Sequence, residues 1–251
     1  MTGWTSYVAL GDSFSEGVGD PLADGSLRGW ADLVAGGLGI RYANLAVRGR
    51  RLDEIVGSQV GAAIELGPDL VSLTAGGNDA LRPGFDAADL MNRFEAAVEL
   101  LTTSGATVLL FRFPDLSARL PLRRILRPRI AAMNEAISAL ARRHGALVVD
   151  LAADPALDSP ALWSADRIHL NAAGHRRVAE HVLAVLNGVE PEPATVPAAP
   201  AGSGGSDLRW ALDHLRPWLG RRLRGRSSGD GLGAKRPEPA PMFSGGQTGV
   251  R

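Results

Sequence analysis

Hydrophobic positions fall along the chain in two alternating rhythms. Mostly continuous apolar runs occupy 7–10, 70–74, 107–111 and 147–149, with a weaker one at 42–46. Continuous runs of this length predict strands buried on both faces. Between them, 30–38, 52–66, 86–101, 130–143 and 172–186 place apolar residues three and four apart, which predicts helices. The stretch 52–66 carries Leu52, Ile55, Val56, Val60, Ala63 and Ile64 at that spacing, and 86–101 carries Leu90, Phe94, Ala97, Val98 and Leu101 on one face. Asn171 stands where the last helix needs an N-cap. Strands alternating with helices imply a parallel sheet covered on both sides through right-handed crossovers. The expected fold is α/β, a doubly wound five-stranded parallel sheet over residues 1–188.

The rhythm stops at residue 188. Residues 189–206 hold EPEPATVPAAPAGSGGS, a Pro/Ala/Gly linker. Residues 207–223 read as a basic amphipathic helix. Leu208, Leu212, Leu215 and Leu219 share a face beside Trp210 and Trp218, and Pro217 kinks or divides it. Residues 224–251 are rich in Gly, Pro and Ser and are expected to be disordered. Charge marks the same boundary. Residues 1–190 carry 18 arginines, no lysine and 22 acidic residues, a net −4, and residues 191–251 carry the balancing +4. The helix at 207–223 is therefore expected to dock on the acidic domain, with an anionic membrane surface or a partner protein as the alternative.

Composition excludes several chemistries. The chain has 251 residues and is 45% hydrophobic, enough for a sizeable core. It has no cysteine, which rules out disulfides, thiolate metal sites and a cysteine nucleophile. No apolar run reaches the length of a membrane span. MTGWTSYVAL lacks the basic region and apolar core of a signal peptide, so the expected location is cytoplasmic. There is no G-x-S-x-G, no complete G-x-G-x-x-G and no P-loop. His169 and His175 lack a metal-ligand spacing. No metal, cofactor or nucleic acid is expected.

What remains is a small polar turn after the first strand, in VALGDSFSEG. A serine hydroxyl there is a weak nucleophile unless a base activates it. Of five histidines, His169 lies in SADRIHLNAAGH, before the last helix and three residues after Asp166. A tight turn puts both on one side, so Asp166 can hold the Nδ1 proton while Nε2 takes the proton of Ser13. Acyl transfer also needs N–H donors for the developing oxyanion. Ser13's own N–H, Gly49 in NLAVRGRR and the side-chain amide of Asn78 in TAGGND are the candidates. Each has a structural alternative: a helix cap at Ser13, a left-handed turn at Gly49, an Asx turn at Asn78.

GDSFSEG, the loop with Gly49, GGND and DRIH occur in the order of the four sequence blocks of the SGNH hydrolases, also called the GDSL family. The resemblance covers about residues 5–188. Leu170 follows His169 where the family often has proline. The resemblance implies a flavodoxin-like sheet, Ser13, Asp166 and His169 as a catalytic triad, and Ser13, Gly49 and Asn78 as the oxyanion hole. It implies a serine esterase, lipase or deacylase acting on a small-molecule acyl ester through an acyl-enzyme. An acyltransferase with the same triad, a carbohydrate O-acetylesterase and a non-catalytic binding module are the alternatives. In RLPLRRILRPR, residues 119–129, Leu120, Leu122, Ile125 and Leu126 can wall an acyl or alcohol pocket. Its five arginines either favour an anionic substrate or form a solvated helix start.

Overall fold

In a computed structural model, the structure describes residues 3–120, 123–194, 213 and 227–242. Five parallel strands form the body of one sheet: β1 (Ser6–Leu10), β2 (Arg41–Asn44), β3 (Leu70–Leu73), β4 (Thr107–Arg112) and β5 (Leu147–Asp150). The spatial order is β5-β4-β3-β1-β2, with a sixth strand beyond β2. The chain leaves β1 toward one side and returns as β3 on the other. A switch point therefore lies between the carboxyl ends of β1 and β3, where doubly wound sheets bind ligands.

Alternation within the strands divides the core. Val8, Leu10, Val71, Leu73, Val108 and Leu110 face one layer, and Tyr7, Ala9, Leu109, Phe111 and Val149 the other. The first layer is covered by α3 (Leu52–Ile55), α4 (Gly61–Leu66), α6 (Ala87–Thr103) and α7 (Arg123–His144). The second is covered by α2 (Trp30–Leu38) and α8 (Ala172–Asn187). Two one-turn helices follow strands: α1 (Ser13–Glu16) after β1 and α5 (Gly77–Ala80) after β3. Asn171 caps α8 as expected, its Oδ1 accepting from Ala173 at 2.9 Å and Gly174 at 3.1 Å.

Three expectations need correction. The helix expected over 52–66 is interrupted by a π-helical turn, Val56–Val60. Helix α7 starts at Arg123 and carries Pro128 inside it, although a proline argues for a later start. The expected disordered tail contains β6 (Arg236–Pro241), antiparallel to β2, so the sheet has six strands. Prolines 237, 239 and 241 hid this strand in the sequence. Met242 N–H bonds Ile40 O at 3.2 Å, and Pro241 and Ala240 pair with Arg41 and Tyr42 before the register shifts between Tyr42 and Asn44. Prolines are tolerated on this edge strand because its outer side needs no donor, and they keep a further strand from pairing. The helix expected at 207–223 lies outside the described residues, apart from Asp213, as does most of the 189–206 linker.

Candidate active site

Strand β1 ends in a backbone that only glycine fits. Gly11 has φ +144°, and a Cβ there would sit 2.1 Å from Thr74 Oγ1. Gln59, on the π-helical turn, brackets it. Its Oε1 accepts from Gly11 N–H at 2.7 Å and its Nε2 donates to Gly11 O at 2.9 Å. Asp12 then caps α1 by accepting from Phe14 N–H at 3.1 Å, and Ser13 becomes the first helical residue. Ser15 Oγ meets Thr74 Oγ1 at 2.7 Å, tying the turn to the end of β3.

The Asp166–His169 turn is equally determined. Ser164 N–H bonds His169 O at 2.8 Å, which closes the loop. Arg167 inside it has φ 64°, the one non-glycine residue with positive φ among the described residues. This conformation lets Asp166 Oδ1 accept from the N–H groups of Ile168 and His169, each at 3.0 Å, while Oδ2 accepts from His169 Nδ1 at 2.6 Å. Burial pushes the Asp166 carboxyl up, but the His169 side chain and these N–H groups outweigh it and hold it down at about 2. Asp166 is thus a carboxylate that fixes the His169 tautomer with Nε2 as acceptor.

Ser13, Asn78 and His169, with Asp12, line one cavity of about 140 Å³ at the switch point. Asn78 Nδ2 donates to Asp12 Oδ2 at 2.8 Å and to Arg50 O at 3.0 Å. Burial raises Asp12 to about 6, and the Phe14 N–H, His169 and the Asn78 amide restrain the rise. Gly49, with φ +77°, lies in the loop between β2 and α3 and is not among the residues lining this cavity. It packs instead under Ser227.

The other histidines are occupied. His175 is buried; its Nδ1 accepts from Trp30 N–H at 3.2 Å and its Nε2 donates to Val18 O at 3.1 Å. Burial lowers it to about 4, so the ring is neutral. His181, also buried, meets Asp154 Oδ2 at 2.7 Å, and His144 meets Glu95 at 2.9 Å. His214 lies outside the described residues. Among the described residues, no group of three His or acidic side chains could hold a metal.

Most of the remaining wall is apolar, with Phe113, Leu116, Leu126, Met133, Leu157 and Trp163, and Thr74, Asn134 and His175 also line it. Leu120 also lines it, whereas Ile125 is exposed and Leu122 lies outside the described residues. Arg119 stacks its guanidinium 4.3 Å from the Trp163 ring centre and donates to Leu157 O at 2.5 Å. It braces the wall. Gln59 and the residues that hold the Gly49 loop carry no motif, so the sequence gives no sign of their part. Lys235 does leave one: it is the only lysine in the chain.

The sheet order, the turn after β1 and the Asp–His pair before the last helix define a class of α/β hydrolytic enzymes. The chain belongs to the GDSL-like lipase/acylhydrolase family, whose model matches residues 9–177; it is a family of carboxylic ester hydrolases. A lipase from Streptomyces rimosus is 39% identical over 87 residues, which span 30% of this chain and 31% of that lipase. The crystal structure of TesA shares 25% identity at a TM-score of 0.57, covering 73% of this chain and 99% of its own. Axe2, an acetyl xylan esterase from Geobacillus stearothermophilus, is 20% identical at a TM-score of 0.64, covering 76% and 97%.

Proposed function

We propose that this chain hydrolyses carboxylic esters with an apolar acyl group, through an acyl-enzyme on Ser13. The observation that carries the reading is the 2.6 Å Asp166–His169 pair, with His169 and Ser13 on one apolar cavity. In this reading His169 Nε2 removes the Ser13 proton as Oγ attacks the ester carbonyl. The negative charge that develops on the carbonyl oxygen is met by the N–H groups of Ser13 and Gly49 and the amide of Asn78. His169 returns the proton to the departing alcohol, which leaves the acyl group on Ser13. Water, deprotonated by the same imidazole, then releases the acid. The residues involved need no metal or cofactor for these steps.

The lining argues for the acyl class. Walls of Phe, Leu, Met and Trp stabilise an aliphatic or aromatic acyl chain and offer an acetylated sugar few polar partners. The test is a panel of p-nitrophenyl esters from acetate to decanoate, with wild type and S13A. The expected result is kcat/KM rising beyond acetate, and a loss of about 10³-fold or more in S13A. Near-normal turnover by S13A overturns the nucleophile, and a panel led by acetate overturns the apolar acyl group.

A further inference from the structure

The C-terminal segment 227–242 reaches across the molecule to the two loops that flank Ser13. Its Lys235 ammonium is half-buried and donates to three carbonyl oxygens: Glu16 at 2.6 Å, Leu27 at 3.1 Å and Arg28 at 2.5 Å. A fourth contact, at 2.5 Å, is the Asp32 carboxylate. Glu16 is the last residue of α1, so the lysine satisfies a carbonyl that the one-turn helix leaves open. The Glu16 carboxylate in turn accepts from Arg48 N–H at 2.6 Å and pairs with the Arg48 guanidinium. Arg48 is the residue before Gly49.

The same segment closes on that loop directly. A Cβ on Gly49 would lie 2.1 Å from Ser227 Oγ, and one on Gly229 would lie 2.0 Å from Arg48 O. The Gly229 backbone therefore approaches the Arg48 carbonyl as closely as only glycine permits, and the Ser227 side chain lies over Gly49. Strand β6 pairs the segment antiparallel with β2, from which the Gly49 loop emerges, with a register shift between Tyr42 and Asn44.

We propose that segment 227–242 is a brace for the active site, with Lys235 as a positioning residue that fixes the α1 turn against the Gly49 loop. One contact chain, Lys235–Glu16–Arg48, joins the helix that carries Ser13 to the loop that carries Gly49. The proposal rests on the roles given above to Ser13 and Gly49. The two N–H donors come from different loops, and the brace sets their spacing.

Three variants of the full chain test this. K235M removes the ammonium and keeps the length. D32N/K235M also removes the carboxylate that K235M strands. K235R restores a cation. For D32N/K235M the expected result is a fall in kcat of about ten- to a hundredfold on a p-nitrophenyl ester, with KM changed less than about twofold. Amides of residues 46–50 should exchange about tenfold faster while those of β4 do not change, and K235R should recover part of kcat. The proposal is overturned if kcat and loop exchange in the double variant stay at wild-type values. It is also overturned if exchange accelerates equally in β4, which would make Lys235 a stability element only. A wild-type chain without esterase activity, but with faster exchange confined to 46–50 in the variant, sinks the hydrolase reading and upholds the brace.

Discussion

Asp12 Oδ2 lies 2.8 Å from the Asn78 amide nitrogen, which also donates to the Arg50 carbonyl at 3.0 Å. A primary amide has two N–H hydrogens, so both are engaged in this geometry. The orientation is determined, because an amide oxygen turned there would face the Arg50 carbonyl and, above about pH 6, the Asp12 carboxylate. An oxyanion must take over one of the two bonds, and the neutral Arg50 carbonyl is the weaker competitor. Asn78→Ala should therefore lower kcat by about 10²–10³-fold with little change in KM. Steady-state kinetics on a p-nitrophenyl ester decide it. A pure KM effect would make Asn78 a substrate-positioning residue.

Asp12, next to Ser13, and Asp166, the partner of His169, should give stability opposite pH dependences. Asp166 is held below its ordinary 3.8, at about 2, so its contribution is complete above 3.8 and is lost as pH falls toward 2. Asp12 is raised from 3.8 to about 6 by burial, so folding favours its protonated form. Stability from Asp12 is therefore gained as pH falls from about 6 to 3.8, and is lost as pH rises through 6. Melting temperatures followed against pH should show D12N flatter than wild type between about 4 and 6, and D166N flatter below about 4. Parallel wild-type and D12N curves across the upper window would refute the Asp12 assignment.

Much of this was legible in the sequence. Buried parallel strands write themselves as mostly continuous apolar runs, and β1, β3, β4 and β5 lie close to where those runs fall. The Asp166–His169 spacing predicts a contact that a local turn alone can make. The parts that stayed hidden depend on distant partners. Gln59 looks like one more polar helical residue until Gly11 is seen against it, 48 positions away. Strand β6 is hidden because its prolines contradict strand propensity, which they can do only at an edge. His175 gives no sign of its burial, since its partners are backbone atoms of Trp30 and Val18.

The cavity wall offers a test of substrate size. Leu126 is buried on α7 and lines the cavity. Leu126→Phe adds volume where a long acyl chain would lie, at an overpacking cost of about 1–3 kcal/mol in stability. Octanoate should lose about tenfold or more in kcat/KM relative to acetate, the usual size of discrimination by an apolar pocket. An unchanged ratio between the two esters would move the acyl chain away from this wall.

The pairing of Lys235 with Asp32 makes a separate prediction about stability. Burial raises the Asp32 carboxyl, and the lysine opposes that rise by charge and by hydrogen bond. Burial likewise lowers the lysine, and Asp32 counters it. Neither charge is well accommodated without the other. Lys235→Met should therefore destabilise the chain by about 3–5 kcal/mol, because an unpaired charge remains buried. Adding Asp32→Asn should recover most of that loss, since the amide can stay buried without a counter-charge. The difference between the double variant and the two single ones is the coupling, measured by thermal or urea unfolding. A chain ending at Gly188 loses the same ammonium and also uncovers the β2 edge, so it should unfold at least as easily as Lys235→Met. If Lys235→Met melts with wild type, the pair is worth no more than an exposed one, under about 1 kcal/mol, and β6 is not anchored by it.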